Sequence, residues 1–162
     1  MSDYQHLKHQ FEPVYDTQSR VLILGTFPSV KSRENNFYYG HPRNRFWAVM
    51  AALTDNPVPS STQEKKSLLY AGKIAIWDVI AQCDIIGSAD STIKNVVPAD
   101  LSILLETSPI EKIYGNGAKA CQLYDKYTYP ITGIPIIKLP STSPANAACS
   151  LEKLVEEWKV IL

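Results

Sequence analysis

Short apolar, β-branched runs alternate along this chain with segments whose apolar residues recur at helical spacing. Four runs predict strands, over 20–25, 73–78, 111–115 and 135–139. Between them, Phe46, Trp47, Met50 and Leu53 predict a helix over 44–53, and Leu68 with Leu69 one over 63–71. Leu101, Leu104 and Leu105, following Pro98, predict a third over 99–106, and Ala120, Cys121 and Tyr124 a fourth over 117–127. The clearest stripe is the last: Leu151, Leu154, Val155 and Trp158 fall on one helix face, which Ile161 and Leu162 continue. Ser143 reads as the N-cap of that helix, with Pro144 in the first helical position. Strands that alternate with helices imply a mainly parallel sheet with helices on both faces. No internal repeat, low-complexity segment or linker divides the pattern, so one domain over residues 1–162 is expected.

Two strand endings stand out. Val21-Leu22-Ile23-Leu24 runs into Gly25-Thr26-Phe27-Pro28-Ser29, and Ile136-Ile137-Lys138-Leu139 runs into Pro140-Ser141-Thr142-Ser143-Pro144-Ala145-Asn146. Ligands of open α/β sheets sit outside the carboxyl ends of the strands, so a single site built from both endings is expected. Between 35 and 47, aromatics are interleaved with Asn, His and Arg. Such a mixture suits stacking of flat heterocycles and contact with phosphates. Phe46 and Trp47 fit the core face of the next helix, whereas Tyr39, Arg43 and Asn44 fall before or at its first turn.

Composition narrows the class. The chain has 162 residues, 45% hydrophobic and 20% charged, as in an ordinary globular protein. No apolar run is long enough for a membrane span, and Met1 to His6 lacks a leader's basic and apolar regions. A cytoplasmic monomer with no membrane partner is the expectation. Net charge is zero, but Lys31, Arg33, Arg43 and Arg45 face only Glu34 within 30–47, a local excess of positive charge after the first strand. Cys83, Cys121 and Cys149 are widely spaced without a CxxC pair and read as small buried hydrophobes. His6, His9 and His41 form no ligand pattern; His6 and His9 would at most share a helix face. Neither a metal nor a cofactor is expected.

Gly25-Thr-Phe-Pro-Ser, Phe37-Tyr-Tyr-Gly-His-Pro-Arg-Asn-Arg-Phe-Trp and Pro140-Ser-Thr-Ser-Pro-Ala-Asn together resemble the uracil-DNA glycosylase superfamily, and within it most closely the hypoxanthine-DNA glycosylases. The resemblance spans 20–160. It implies a three-layer α/β/α sandwich around a four-stranded parallel sheet, and a repair enzyme that cleaves the N-glycosidic bond of a deaminated base in DNA. Most branches carry Asp or Asn one or two places after the motif's glycine, to orient the attacking water. Thr26 and Phe27 stand there in this chain. The resemblance transfers that role to Asn44, with Asn35 and Asn36 reading as turn residues. It also matches Asp78, at the end of the second strand, to a place where relatives read the base.

The resulting reading assigns Asn44 to catalysis and Gly25, Thr26, Phe27, Pro28, Tyr39 and Asp78 to the base. Ser29, Arg33, Arg43, Ser141, Thr142, Ser143 and Asn146 are assigned to DNA. An ionised carboxylate at Asp78 only accepts hydrogen bonds, which favours bases with a ring N–H over adenine and cytosine; capping of a strand end or helix is its structural alternative. Ser141 to Ser143 and the helix behind them would hold a phosphate. Gly115-Asn116-Gly117 reads first as a tight turn, with cleft contact as its second use. No lysine stands out near either motif as a Schiff-base nucleophile, so water is the expected nucleophile. The rival reading is a module that binds damaged or single-stranded DNA without cleaving it. A serine hydrolase using Ser29 or Ser141 finds no GxSxG elbow.

Overall fold

The computed structural model describes residues 3–162; Met1 and Ser2, the start of the stretch read for a leader, lie outside them. The chain opens with β1 (Gln5–Lys8) and β2 (Val21–Gly25). Helices α1 (Val30–Asn35), α2 (Phe46–Thr54) and α3 (Thr62–Ala71) lead to β3 (Ile74–Asp78). Then come β4 (Ile80–Ile85), β5 (Lys94–Pro98), α4 (Ser102–Thr107), β6 (Lys112–Asn116), α5 (Ala118–Leu123), α6 (Tyr129–Thr132), β7 (Ile136–Leu139) and α7 (Leu151–Trp158). A π-helical turn at Tyr124–Thr128 joins α5 to α6, so the span predicted as one helix over 117–127 is α5 followed by that turn, and α6 extends beyond it.

The four predicted strands form one parallel sheet in the order β3-β2-β6-β7. Alternation of side chains across it builds two cores. Ile23, Ile74, Ile76, Tyr114 and Leu139 face α2, α3 and α7, while Leu22, Leu24, Ala75 and Ile113 face the opposite layer. That opposite layer is not purely helical. β1, β4 and β5 form a second, antiparallel sheet there, in the order β1-β4-β5. Its edge strands β1 and β5 are mostly exposed, so the periodicity did not announce it. His6 helps fasten β1 to β4 through Asp84 (2.7 Å) and Gln82 (3.0 Å), bonds that hold its imidazole above its ordinary pKa. His6 and His9 therefore belong to a strand and its exit, not to a helix face.

Two further expectations are corrected. The last helix is capped by Ser150, whose hydroxyl accepts from Lys153 N, and not by Ser143. The intervening 143–149 segment is a pair of turns, so Pro144 and Asn146 lie outside any helix. The stretch after the first strand is also not all loop: Ser29 caps α1 by accepting from Ser32 N. All three cysteines are free and buried, and burial pushes the Cys83 thiol up to about 11.

The 140–149 segment lacks a ladder of its own and is held from outside. Arg45 donates from one terminal nitrogen to Ser143 O (3.1 Å) and Asn146 O (3.0 Å), and from the other to Cys149 O. Arg45 N donates to Thr142 O (3.1 Å), and Trp158 Nε1 reaches Pro140 O (3.0 Å) from α7. A planar, permanently charged fork suits three carbonyls that no repeating structure satisfies. Arg45→Met, which keeps the stem and deletes the fork, is expected to cost ~2–4 kcal/mol in urea unfolding and to speed amide exchange across 143–149. A change below about 0.5 kcal/mol would mean that the loop stands without it.

Candidate active site

The carboxyl ends of β2, β3 and β6 and the segment after β7 open into one cleft of about 400 Å³. Gly25 to Ser29, Tyr39, Asn44, Asp78, Asn116 and Ser141 to Ala145 all line it, joined by Ser88 and Asp90 from the β4–β5 connection. The two strand endings picked out by their sequence thus meet at one place. This is the crevice where the strand order reverses: β3 and β6, both later in the chain, lie on opposite sides of β2.

Asp78 is its most buried charged residue, 4% exposed. Oδ2 lies 2.8 Å from His9 Nε2, and Oδ1 lies over Gly25, where an added Cβ would approach it to 2.5 Å. The absence of a side chain at 25 is therefore what lets the carboxylate reach the end of β2. Tyr39 closes in beside it: the same Cβ would lie 3.1 Å from its hydroxyl. Tyr39 adopts a positive φ of 53° and stacks on Phe46 with centroids 4.0 Å apart. Burial, then the Asp78 charge, raises its phenol well above the ordinary value, so it stays protonated.

Asn44 is fixed by a chain of bonds whose direction is forced. Thr142 N donates to Asn116 Oδ1 (3.0 Å), which leaves Asn116 Nδ2 to donate to Thr142 Oγ1 (3.0 Å). The Thr142 hydroxyl therefore donates onward to Asn44 Oδ1 (2.9 Å), which also accepts from Phe46 N (2.9 Å). Both carbonyl lone pairs of Asn44 are occupied, and the group left for the cleft is its NH₂.

The other assigned residues divide. Thr26, Phe27 and Pro28 line the cleft, and the backbone oxygens of Gly25 and Thr26 accept from Val79 N and Ile80 N. Ser141 and Ser143 line it as well, each hydroxyl accepting a backbone N–H two residues on. Thr142 is fully buried with its hydroxyl committed, so it positions Asn44 rather than touching a phosphate. Asn146 donates to Ser141 O and braces the loop. Ser29 is spent on the cap of α1. Arg33 reaches across to Gly87 O (2.8 Å) and Ser29 O, whereas Arg43 is exposed at the rim. Asn36 adopts the left-handed C-cap of α1, as a turn residue, whereas Asn35 is the last residue of that helix and donates to Gly40 O.

Two residues of this constellation escaped the sequence, and a third was offered there only as the second use of a turn. His9 is separated from its partner by 69 positions, and no spacing links them. Asp90 sits in a turn-rich stretch that looks like any exposed loop. Crowding by the cleft raises its carboxyl above the ordinary value, Lys119 opposes this, and the Asp78 charge adds to it. Asn116 was legible: it ends a strand between two glycines, and Gly117 adopts φ 95° where a side chain would strain the turn.

A family model described as the uracil DNA glycosylase superfamily matches residues 12–161. A protein of Methanosarcina acetivorans named hypoxanthine DNA glycosylase is 33% identical over 157 residues, covering 96% of this chain and 98% of its own. One of the same name from Methanosarcina barkeri is 33% identical over 115 residues, covering 70% and 73%. A solution NMR structure from Methanosarcina acetivorans, described as a candidate uracil DNA glycosylase, aligns with a TM-score of 0.79 and 30% identity over 97% of this chain and 99% of that one. With sequence and fold agreeing along nearly the whole length, the chain belongs to the uracil DNA glycosylase superfamily.

Proposed function

We propose that this DNA glycosylase removes deaminated bases, hypoxanthine ahead of uracil, by flipping the nucleotide into the cleft and hydrolysing its glycosidic bond with water. One observation carries the reading: a buried carboxylate, Asp78, at the meeting point of the strand ends, with Oδ1 turned to the side that lacks a Cβ at Gly25. An acceptor there suits the ring N–H of hypoxanthine and uracil and opposes the ring lone pair of adenine and cytosine. The ranking of hypoxanthine over uracil is supported by the name of the relatives from Methanosarcina. Among the described residues, those that line the cleft include no lysine, which supports water over an amine nucleophile.

Asn44 is the residue proposed to place that water. Its free NH₂ donates to the water oxygen or to the departing base, while its carbonyl is held by Thr142 and Phe46. A donor aimed at a developing negative charge acts most strongly where water is excluded. The proton released by the water needs an acceptor, and Asp90 is the cleft carboxylate besides Asp78. Arg43, exposed beside the cleft-lining His41, is the rim cation proposed to meet a phosphate.

The assignment is tested on duplexes carrying one deoxyinosine or one deoxyuridine, with alkaline strand scission after incubation. Cleavage at deoxyinosine first is expected; binding without cleavage at either would move the protein to the non-catalytic module. Asn44→Ala is expected to slow single-turnover cleavage about 10²–10³-fold with duplex affinity retained, and an unchanged rate removes Asn44 from the chemistry. Because the folded pKa of Asp90 is raised, a base role gives a rate that falls as pH drops through that raised value, above the ordinary Asp range. Asp90→Asn should abolish that acid limb; a limb that survives assigns the proton elsewhere. For DNA, Arg43→Gln should reduce the slope of log affinity against log salt by about 1, and Arg33→Gln should leave it unaltered. Equal slopes for wild type and Arg43→Gln would take Arg43 off the backbone.

A further inference from the structure

We propose that His9 determines which bases this cleft accepts, by holding the carboxylate of Asp78 with one oxygen turned toward the base. The inference rests on the reading of Asp78 as the base-recognising group, and it makes an N-terminal residue outside every recognised motif part of the specificity apparatus.

The two side chains are almost sealed, at 7% and 5% exposure, and meet at 2.8 Å between Nε2 and Oδ2. His9 is set in place by its own backbone, whose N–H donates to Ala81 O on β4 (2.7 Å). Its ring is wedged among Phe11, Phe27 and Tyr38, at centroid distances of 4.8, 6.0 and 5.8 Å. The second ring nitrogen, Nδ1, is buried and has no hydrogen-bond partner among the described residues. That orphan fixes the proton. A hydrogen on Nδ1 would be a buried donor without an acceptor, whereas a lone pair there leaves no donor unsatisfied. The ring's proton therefore sits on Nε2 and points at Asp78. A ring that donates at Nε2 needs an acceptor, so the proton is not on Oδ2, and the pair is a neutral imidazole beside a carboxylate.

The consequence reaches the cleft. With Oδ2 engaged, the oxygen left is Oδ1, above Gly25, and it offers only lone pairs. Bases that carry a ring N–H, which deamination creates from adenine and cytosine, donate to it. Adenine and cytosine place a lone pair against it. Remove the imidazole and Oδ2 loses its donor, so the carboxylate is free to turn about its own bond and Oδ1 is no longer held over Gly25. An acceptor that is no longer fixed discriminates less sharply against the adenine edge. His9 thus acts through Asp78 as a positioning residue and does not touch the base.

The experiment measures inhibition of deoxyinosine cleavage by free hypoxanthine and by free adenine, in wild type, His9→Leu and His9→Gln, with melting curves alongside. Wild type should prefer hypoxanthine. His9→Leu should narrow the preference by about tenfold or more, and His9→Gln, whose amide nitrogen restores a donor near Nε2, should recover most of it. In an Asp78→Ala background, His9→Leu should narrow it no further, because the effect passes through the carboxylate. If His9→Leu does not fold, His9→Asn, polar but too short to reach Asp78, takes its place with the same expectation. An unchanged preference in the folded variant, or an equal effect with and without Asp78, overturns the inference while leaving the enzyme's function standing. A wild type that cleaves neither deoxyinosine nor deoxyuridine defeats the functional reading itself, and this inference with it.

Discussion

The cleft depends on a loop that cannot hold itself. Residues 140–149 follow the edge strand β7 and carry no ladder, yet they supply Thr142, on which the orientation of Asn44 rests. Arg45 solves this with one guanidinium on three carbonyls, and it sits next to Asn44 in the chain. The side chain that anchors the loop and the side chain the loop orients are therefore neighbours on one backbone. Any shift of α2 moves both together, so the geometry of the cleft survives small motions between layers. Trp158, packed on Phe46 with centroids 6.0 Å apart, ties the start of the same loop to α7.

The parallel sheet was legible because its strands are buried on both faces. Leu22, Ile23 and Leu24 are all fully buried, and such a run reads as a strand whatever surrounds it. The antiparallel sheet was not. In β1 the sequence Gln-His-Leu-Lys turns a single apolar side chain inward, too little for any periodicity argument. The capping error at α7 has a similar origin: Ser143 followed by Pro has the local signature of a helix start, and Ser150 has it too. The fork of Arg45, a long-range contact, decides between them by holding 143–149 in turns.

Within the site, the residue types were readable and their directions were not. Asn44 is identified by its place in the chain, but which end of its amide faces the cleft depends on a backbone N–H at Thr142 and an amide on another strand, Asn116. His9 shows the same limit more sharply. It is joined to Asp78 only because β1 pairs with β4, a pairing made by the sheet that periodicity missed. Site chemistry was hidden where fold topology was hidden.

The directions of these bonds bear on an apparent conflict in the proposed chemistry. A carboxylate beside a departing base opposes the negative charge that the base acquires, by an amount on the order of a few kcal/mol for a pair about 4 Å apart in a partly solvated site. Specificity for a ring N–H thus slows the step it selects for. Compensation has to come from donors, and the bond network is wound to supply one: every link from Thr142 N to Asn44 Oδ1 runs so that the terminal NH₂ of Asn44 is left for the cleft. The imidazole of His9 works in the same direction, drawing charge on Asp78 toward Oδ2 and away from the side that faces the base. An asparagine in place of Asp78 would avoid the repulsion, but its amide can turn either a donor or an acceptor toward the base and so reads both edges. In the proposed chemistry the carboxylate gives an unambiguous acceptor, and the free amide of Asn44 in the same cleft supplies the donor that offsets its charge.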